Sequence, residues 1–196
     1  MKIPFSPSVY EHAARFAGKS PYETSRDPEL MFRGQRDAWL EYRHQVIVVG
    51  IDIYNLEAEA YGAPVENPGE DAIPAITRNP CQSLEDGYEL KPFDPSRDGR
   101  IPMVIDVARR LKEALPGTDV RVPVAGPFSV AFNLRGINGL LEDVGLNPEG
   151  VARWLMQLAH NQAAFCRAVV DAGLGIAFFE SAAAPPLLSP RQFHNV

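Results

Sequence analysis

Three short apolar runs in this chain each stop at groups able to do chemistry. "VIVVGI" ends on Asp52, and Tyr54, Asn55, Glu57 and Glu59 follow in "IDIYNLEAEAYG". "VRVPVA" runs into Gly126-Pro127-Phe128-Ser129, and "GIAFF" runs into Glu180-Ser181. Carboxylates in such places could move protons or orient the N–H groups of a ligand. A helix opening at Pro127 offers free backbone N–H groups suited to an anion, and the glycine before it allows close approach. Plainer readings stand beside these. Asp52 could cap the helix that follows it, Glu57 and Glu59 read as the solvated face of a polar helical stretch, and "GPF" reads as a proline-initiated helix. Glu180 is harder to set aside, because a carboxylate after four apolar residues is costly to bury unpaired and so faces a cleft or a partner.

Other chemistries find less support. The histidines at 12, 44, 160 and 194 fall on helical stretches or in the tail, none at a strand end, so no histidine base is indicated. Ser129 and Ser181 have no histidine beside them to activate a nucleophile. Cys81 and Cys166 are far apart with neither CxxC nor HxC spacing. They read as free thiols, and no metal site is expected from this chain alone.

The elements that must position these residues alternate. "SRDPELMFRGQRDAWLEYRHQ" opens with Asp27 as N-cap and Pro28 at the first helical position, with Leu30, Met31, Trp39, Leu40 and Tyr42 on one face. Val46 to Asp52 is β-branched and continuously apolar, as a parallel strand covered on both faces is. "RIPMVIDVARRLKEALPG" is an amphipathic helix stopped by Pro116-Gly117. "DVRVPVAG" is a second strand, whose Pro123 predicts an edge or a bulge. Helices follow from Pro127 and from Asn147 to Gly173, and "GIAFFE" is a third strand. The stretch 64–99 is turn-rich, with one short strand expected at 72–77. Strands alternating with helices and ending in polar residues make this an α/β fold with a parallel sheet, its functional groups at the carboxyl ends of the strands.

The same motifs carry a family resemblance. "VAGPFSVAFNLRG" with "INGLLEDVGLNPEGVARWLMQL", "AGLGIAFFESAAAPPLLSPRQF" and "IDIYNLEAEAYGAPVE" together resemble the uroporphyrinogen decarboxylase superfamily, which also contains the corrinoid-dependent methyltransferases. The resemblance implies a (β/α)8 TIM barrel with its site at the carboxyl strand ends. It implies catalytic or ligand-orienting roles for Asp52, Glu180 and Ser181. Asn55, Gly126, Pro127 and Phe128 become expected substrate contacts, and Phe132 stands where the decarboxylases carry a cleft tyrosine. Their arginine-rich N-terminal motif has no counterpart before Pro4, which favours methyl transfer over decarboxylation. The zinc ligands of the methyltransferase branch lie in a C-terminal region that this chain does not contain, so zinc and a corrinoid are expected only of a complete enzyme.

Size bounds these expectations. A (β/α)8 barrel takes about 250 residues, and this chain has 196. Residues 1–196 are therefore expected to form a single partial barrel domain, roughly the N-terminal half to two-thirds. A homo-oligomer or a complementing C-terminal half would complete it, since a half-barrel leaves strand edges unpaired. The expected partners are a tetrapyrrole or a corrinoid protein; the alternative is a non-catalytic binding or assembly module, or a truncated fragment that completes a barrel with another chain. With a formal net charge of −6 and no dense basic cluster, nucleic acid is an unsuitable partner. No run of about 18 apolar residues is available for a membrane span. The N-terminal sixteen residues lack a signal-peptide core, which predicts a cytoplasmic protein.

Overall fold

A computed structural model describes residues 6–69 and 71–196. The chain begins with α1 (Ala13–Ala17), α2 (Pro21–Arg26) and α3 (Pro28–Tyr42). The entry into α3 follows the sequence rule: the Asp27 side chain accepts from the N–H groups of Glu29 and Leu30, with Pro28 at the first helical position. Its core face is made by Met31, Gly34, Gln35 and Ala38, whereas Leu40 and Tyr42 are exposed. The expected face was thus displaced, because α1 packs on α3 so closely that a Cβ on Gly34 would lie 2.5 Å from the Ala13 carbonyl oxygen.

Then come β1 (Val46–Val48), a 3₁₀ turn (Ile53–Asn55), α4 (Leu56–Ala60), β2 (Val65–Glu66), β3 (Ala75–Ile76) and α5 (Leu84–Glu89). The short strand expected at 72–77 exists as β3, paired antiparallel with β2. The remaining elements are α6 (Ile101–Ala114), β4 (Asp119–Ala125), α7 (Pro127–Arg135), α8 (Ile137–Leu146), α9 (Pro148–Asp171), β5 (Gly175–Phe179) and α10 (Pro190–Asn195).

β1, β4 and β5 form a parallel sheet in that order, so the chain is α/β as its alternation predicts. β4 is the central strand of the three, which corrects the edge position expected from Pro123. The β1–β4 ladder ends at Val48 opposite Arg121, so Pro123 lies where β1 has already turned away and no ladder bond is lost. One apolar cluster joins β1 and β4 to α3 and α6, and a second joins the end of β4 to α7, α8 and α9. Both fix the carboxyl end of β4. No helix among the described residues is long and apolar enough to cross a membrane.

Candidate functional site

The carboxyl ends of β1, β4 and β5 open on one side of the sheet. Beyond β1 the chain makes one last bond, Val49 N–H to the Arg121 carbonyl, and turns through Gly50, whose carbonyl accepts from the buried Gln35 amide at 2.8 Å. Asp52 follows, buried at the start of the 3₁₀ turn. Its side chain makes no capping bond. It forms a bidentate pair with Arg100, at 2.6 and 2.7 Å, and accepts from the Asn55 amide at 3.2 Å. Arg100 stands immediately before α6, where it also donates to Glu59 at 2.5 Å and to the Ser25 carbonyl at 3.2 Å. Arg26 of α2 pairs with the same Glu59. Two arginines and two carboxylates therefore neutralise one another. Burial opposes the Arg100 charge, yet bonds to Asp52 and Glu59 outweigh it and raise the guanidinium pKa.

This cluster corrects the solvated-face reading of Glu57 and Glu59. α4 is too short to present separate faces and is covered by the 3₁₀ turn, α6 and α7. Glu59 is spent on arginines, and Glu57 is 0% exposed, its carboxyl accepting the Ala125 N–H at 2.7 Å.

At the end of β5, Glu180 turns back onto α7. Its carboxylate accepts from Phe128 N–H at 3.0 Å, Ser129 N–H at 3.1 Å and the Ser129 hydroxyl at 2.6 Å. The anion suited to this helix start is the protein's own side chain. The close approach that Gly126 permits is likewise that of Glu180, whose carboxylate a Cβ at 126 would overlap.

Two adjoining clefts lie at the strand ends. The larger, about 480 Å³, is lined by Asp52, Tyr54, Asn55, Phe132 and Asn133 on one side and by Ile73–Ile76 and Asn79 on the other. The smaller, about 220 Å³, shares Tyr54, Phe132 and Asn133 and is closed by Ser129, Ser181 and Leu187. Asp52, Asn55, Phe132 and Ser181 thus gather around one Tyr54–Asn133 divide. Pro127, Phe128 and Glu180 instead line a separate apolar cleft of about 460 Å³, with Leu155, Met156 and Phe193. A more open groove of about 790 Å³, at Arg15, Lys19 and Asp71, lies between α1 and the loop after β2.

Arg100, Asn79 and Asn133 were not visible as site residues in the sequence. Arg100 sits in the turn-like "SRDGR", 48 residues from Asp52, and nothing local marks the pair. Among the described residues, no three His, Cys, Asp or Glu side chains converge as a metal site. Cys81 and Cys166 are free thiols.

Comparison with known proteins bears on the family and the fold. The family model described as "Uroporphyrinogen decarboxylase (URO-D)" matches residues 2–196. A methyltransferase from Methanosarcina mazei superposes with a TM-score of 0.85 at 20% identity, covering 98% of this chain and 58% of that one. At that identity the likeness is one of fold, and the chain spans little more than half of the neighbour's length. A search of curated proteins gives no match.

Proposed function

The chain belongs to the uroporphyrinogen decarboxylase (URO-D) family, and on that premise we propose that it is the cleft-bearing part of a corrinoid-dependent methyltransferase of (β/α)8 type. One observation carries the reading: among the described residues no cationic side chain lines either strand-end cleft, and the amides there are partly committed to the protein. Asn55 donates to the Pro74 carbonyl at 2.7 Å, Asn79 to the Asn133 carbonyl at 2.9 Å, and Asn133 to the Tyr54 carbonyl at 2.6 Å. What these side chains retain for a ligand is carboxamide, their oxygens with one N–H each on Asn79 and Asn133, beside the Asp52 carboxylate and the rings of Tyr54 and Phe132. A complementary ligand both donates and accepts hydrogen bonds and presents an apolar face. A corrinoid, rimmed with carboxamides, does both. A polycarboxylate porphyrinogen would bring its carboxylates to clefts whose described lining offers no cation.

In this reading Asp52, oriented by Arg100, meets ligand N–H groups, with Asn55 beside it. Ser181, exposed at the smaller cleft, hydrogen-bonds the second substrate. Glu180 acts through α7, holding Gly126, Pro127 and Phe128 in place and Phe132 at the cleft. A bound corrinoid supplies a methyl group on cobalt. Zinc would require ligands from outside this chain, because the described residues bring no suitable group of three together, and no step is assigned to it.

The edge of β5 favours a compatible second reading, in which the chain is an assembly module. Among the described residues β5 pairs only with β4, and Phe178 on it is 61% exposed. A complementing C-terminal half or a second copy would cover that edge. Absorption titration with methylcobalamin and with uroporphyrin tests the first reading. A saturable change with methylcobalamin alone is expected; binding of uroporphyrin alone, or of neither, overturns it. Light scattering of the chain tests self-association.

A further inference from the structure

Ala125 ends β4 with its peptide turned toward β1. Arg121 gives its carbonyl to Val49 on that side, whereas Gly126 donates to the Phe179 carbonyl on the other. By the alternation of a strand, 121, 123 and 125 face β1. β1 has left the ladder by then, so no strand pairs with Ala125 on that side. Two side chains stand in for one. Glu57 accepts the Ala125 N–H at 2.7 Å, and the Gln162 amide of α9 donates to the Ala125 carbonyl. Carboxyl and carboxamide together present the acceptor and donor that a neighbouring backbone would offer.

The acid half of this pair carries a cost. Glu57 is fully buried, and among the described residues its second oxygen, Oε2, has no hydrogen-bond partner. Among the described residues no cation compensates it: Arg100, on the α6 side, is taken by Asp52 and Glu59. Toward α7 the surroundings are apolar, with Ala58, Val130, Ala131 and Leu134 in one cluster. α9 contributes Asn161, Gln162 and the Cys166 thiol, and Tyr61 lies at the end of the same turn. Tyr61 is pushed up to about 12 mainly by burial, and burial also raises the Cys166 thiol, so both are neutral near pH 7. An unpaired carboxylate here is far costlier than a neutral carboxylic acid.

We propose that Glu57 is a proton-bearing latch on the cleft wall: as the neutral acid, with Gln162, it holds the end of β4 and fixes Gly126 to Phe132, and the ionised form, too costly to keep in the dry interior with one oxygen unpartnered, is drawn toward water and releases that hold. Glu57 touches no ligand and is a positioning residue. The inference uses the preceding functional reading only in treating α7 as a wall of the ligand cleft; the latch is independent of which ligand binds. Burial pushes the Glu57 carboxyl up to about 8. A folded-state value above the unfolded one means that the stabilisation is complete below the ordinary glutamate value near 4.5 and is lost as pH rises through about 8.

NMR of the full chain without ligand decides the matter, with carbon-13 in the glutamate carboxyls and nitrogen-15 in the backbone. One carboxyl signal, absent from Glu57→Gln, is expected to titrate near pH 8, and the amides of Ala125, Gly126 and Phe128 to Phe132 to move with the same midpoint. The unfolding constant of the natural chain, relative to Glu57→Gln, is expected to rise about tenfold per pH unit between about pH 5 and 8. A Glu57 carboxyl that titrates in the ordinary glutamate range overturns the proposal, as do wall amides that ignore its titration. Should Glu57→Gln not fold, the carboxyl and amide titrations of the natural chain still decide, with assignment by sequential connectivity. No corrinoid enters these measurements, so their failure is distinct from failure of the methyltransferase reading.

Discussion

Gly126 and Glu180 fit each other: the Glu180 carboxylate occupies the space that a side chain at 126 would fill, and from there it bonds the first free N–H groups of α7. The two residues are 54 positions apart and act as one cap. Gly126→Ala is expected to cost about 2–3 kcal/mol, the sum of an overpacked contact and a weakened cap. Glu180→Ala alone costs about 1–2 kcal/mol. The double variant will be less destabilised than the sum, because without the carboxylate the new methyl has room. Urea unfolding midpoints measure all three, and additive costs would refute the pairing.

Among the described residues Arg100 is the only cation bonded to Asp52, and it shares Glu59 with Arg26. Arg100→Met leaves the Asp52 carboxylate buried without a counter-charge, an imbalance of about 3–5 kcal/mol. Asp52→Asn in the same chain should restore a large part of it. A double-mutant cycle in chemical denaturation measures the coupling; a coupling near zero would show that the pair does not organise the site.

His44 is buried, and among the described residues neither ring nitrogen has a hydrogen-bond partner. Burial lowers its pKa from the ordinary value of 6.5. With the folded value depressed, the unfolded chain takes up the proton first. The His44 contribution to stability is therefore flat above about pH 6.5 and is lost as pH falls from there through the folded value. Glu57 acts in the opposite direction over the same range, so the difference between two chains isolates His44: the melting temperature of His44→Phe relative to the natural chain should be flat above about pH 6.5 and grow in favour of the variant as pH falls to 5.

Asn133 joins the two clefts by donating to the Tyr54 carbonyl at 2.6 Å. Asn133→Ala removes that bond, for about 1 kcal/mol of stability, and frees the Tyr54 turn. Methylcobalamin affinity is expected to fall about five- to tenfold, read by the same absorption titration; an unchanged affinity would place the ligand away from this divide.

The broad outline of the fold is legible in the sequence because it rests on local signals. Asp27-Pro28, Asn147-Pro148 and Ser189-Pro190 each announce a helix, and the β-branched runs announce the parallel strands. Pro123 misleads because its rule concerns a ladder partner, and the sequence does not reveal that β1 stops two residues short of it. The polar residues of "NLEAEAYG" mislead for a related reason. A single turn of helix has no periodicity from which to read a solvent face, so the burial of Glu57 depends on α6, α7 and α9 arriving from elsewhere. Asp52, Glu180 and Ser181 are visible as strand-end groups. Arg100, which orients the first, and Gly126, which accommodates the second, belong to pairings about 50 residues apart.

The segment 71–79 is held to the rest of the molecule by Asn55 and Asn79, whose amides bond backbone carbonyls across the gap. That wall of the larger cleft is thus ordered before anything enters. The ordering entropy of the segment has been lost during folding and is not charged against association. Ligand capture then depends on encounter alone, with an observed rate that climbs linearly with ligand concentration and shows no plateau from a slow closing step.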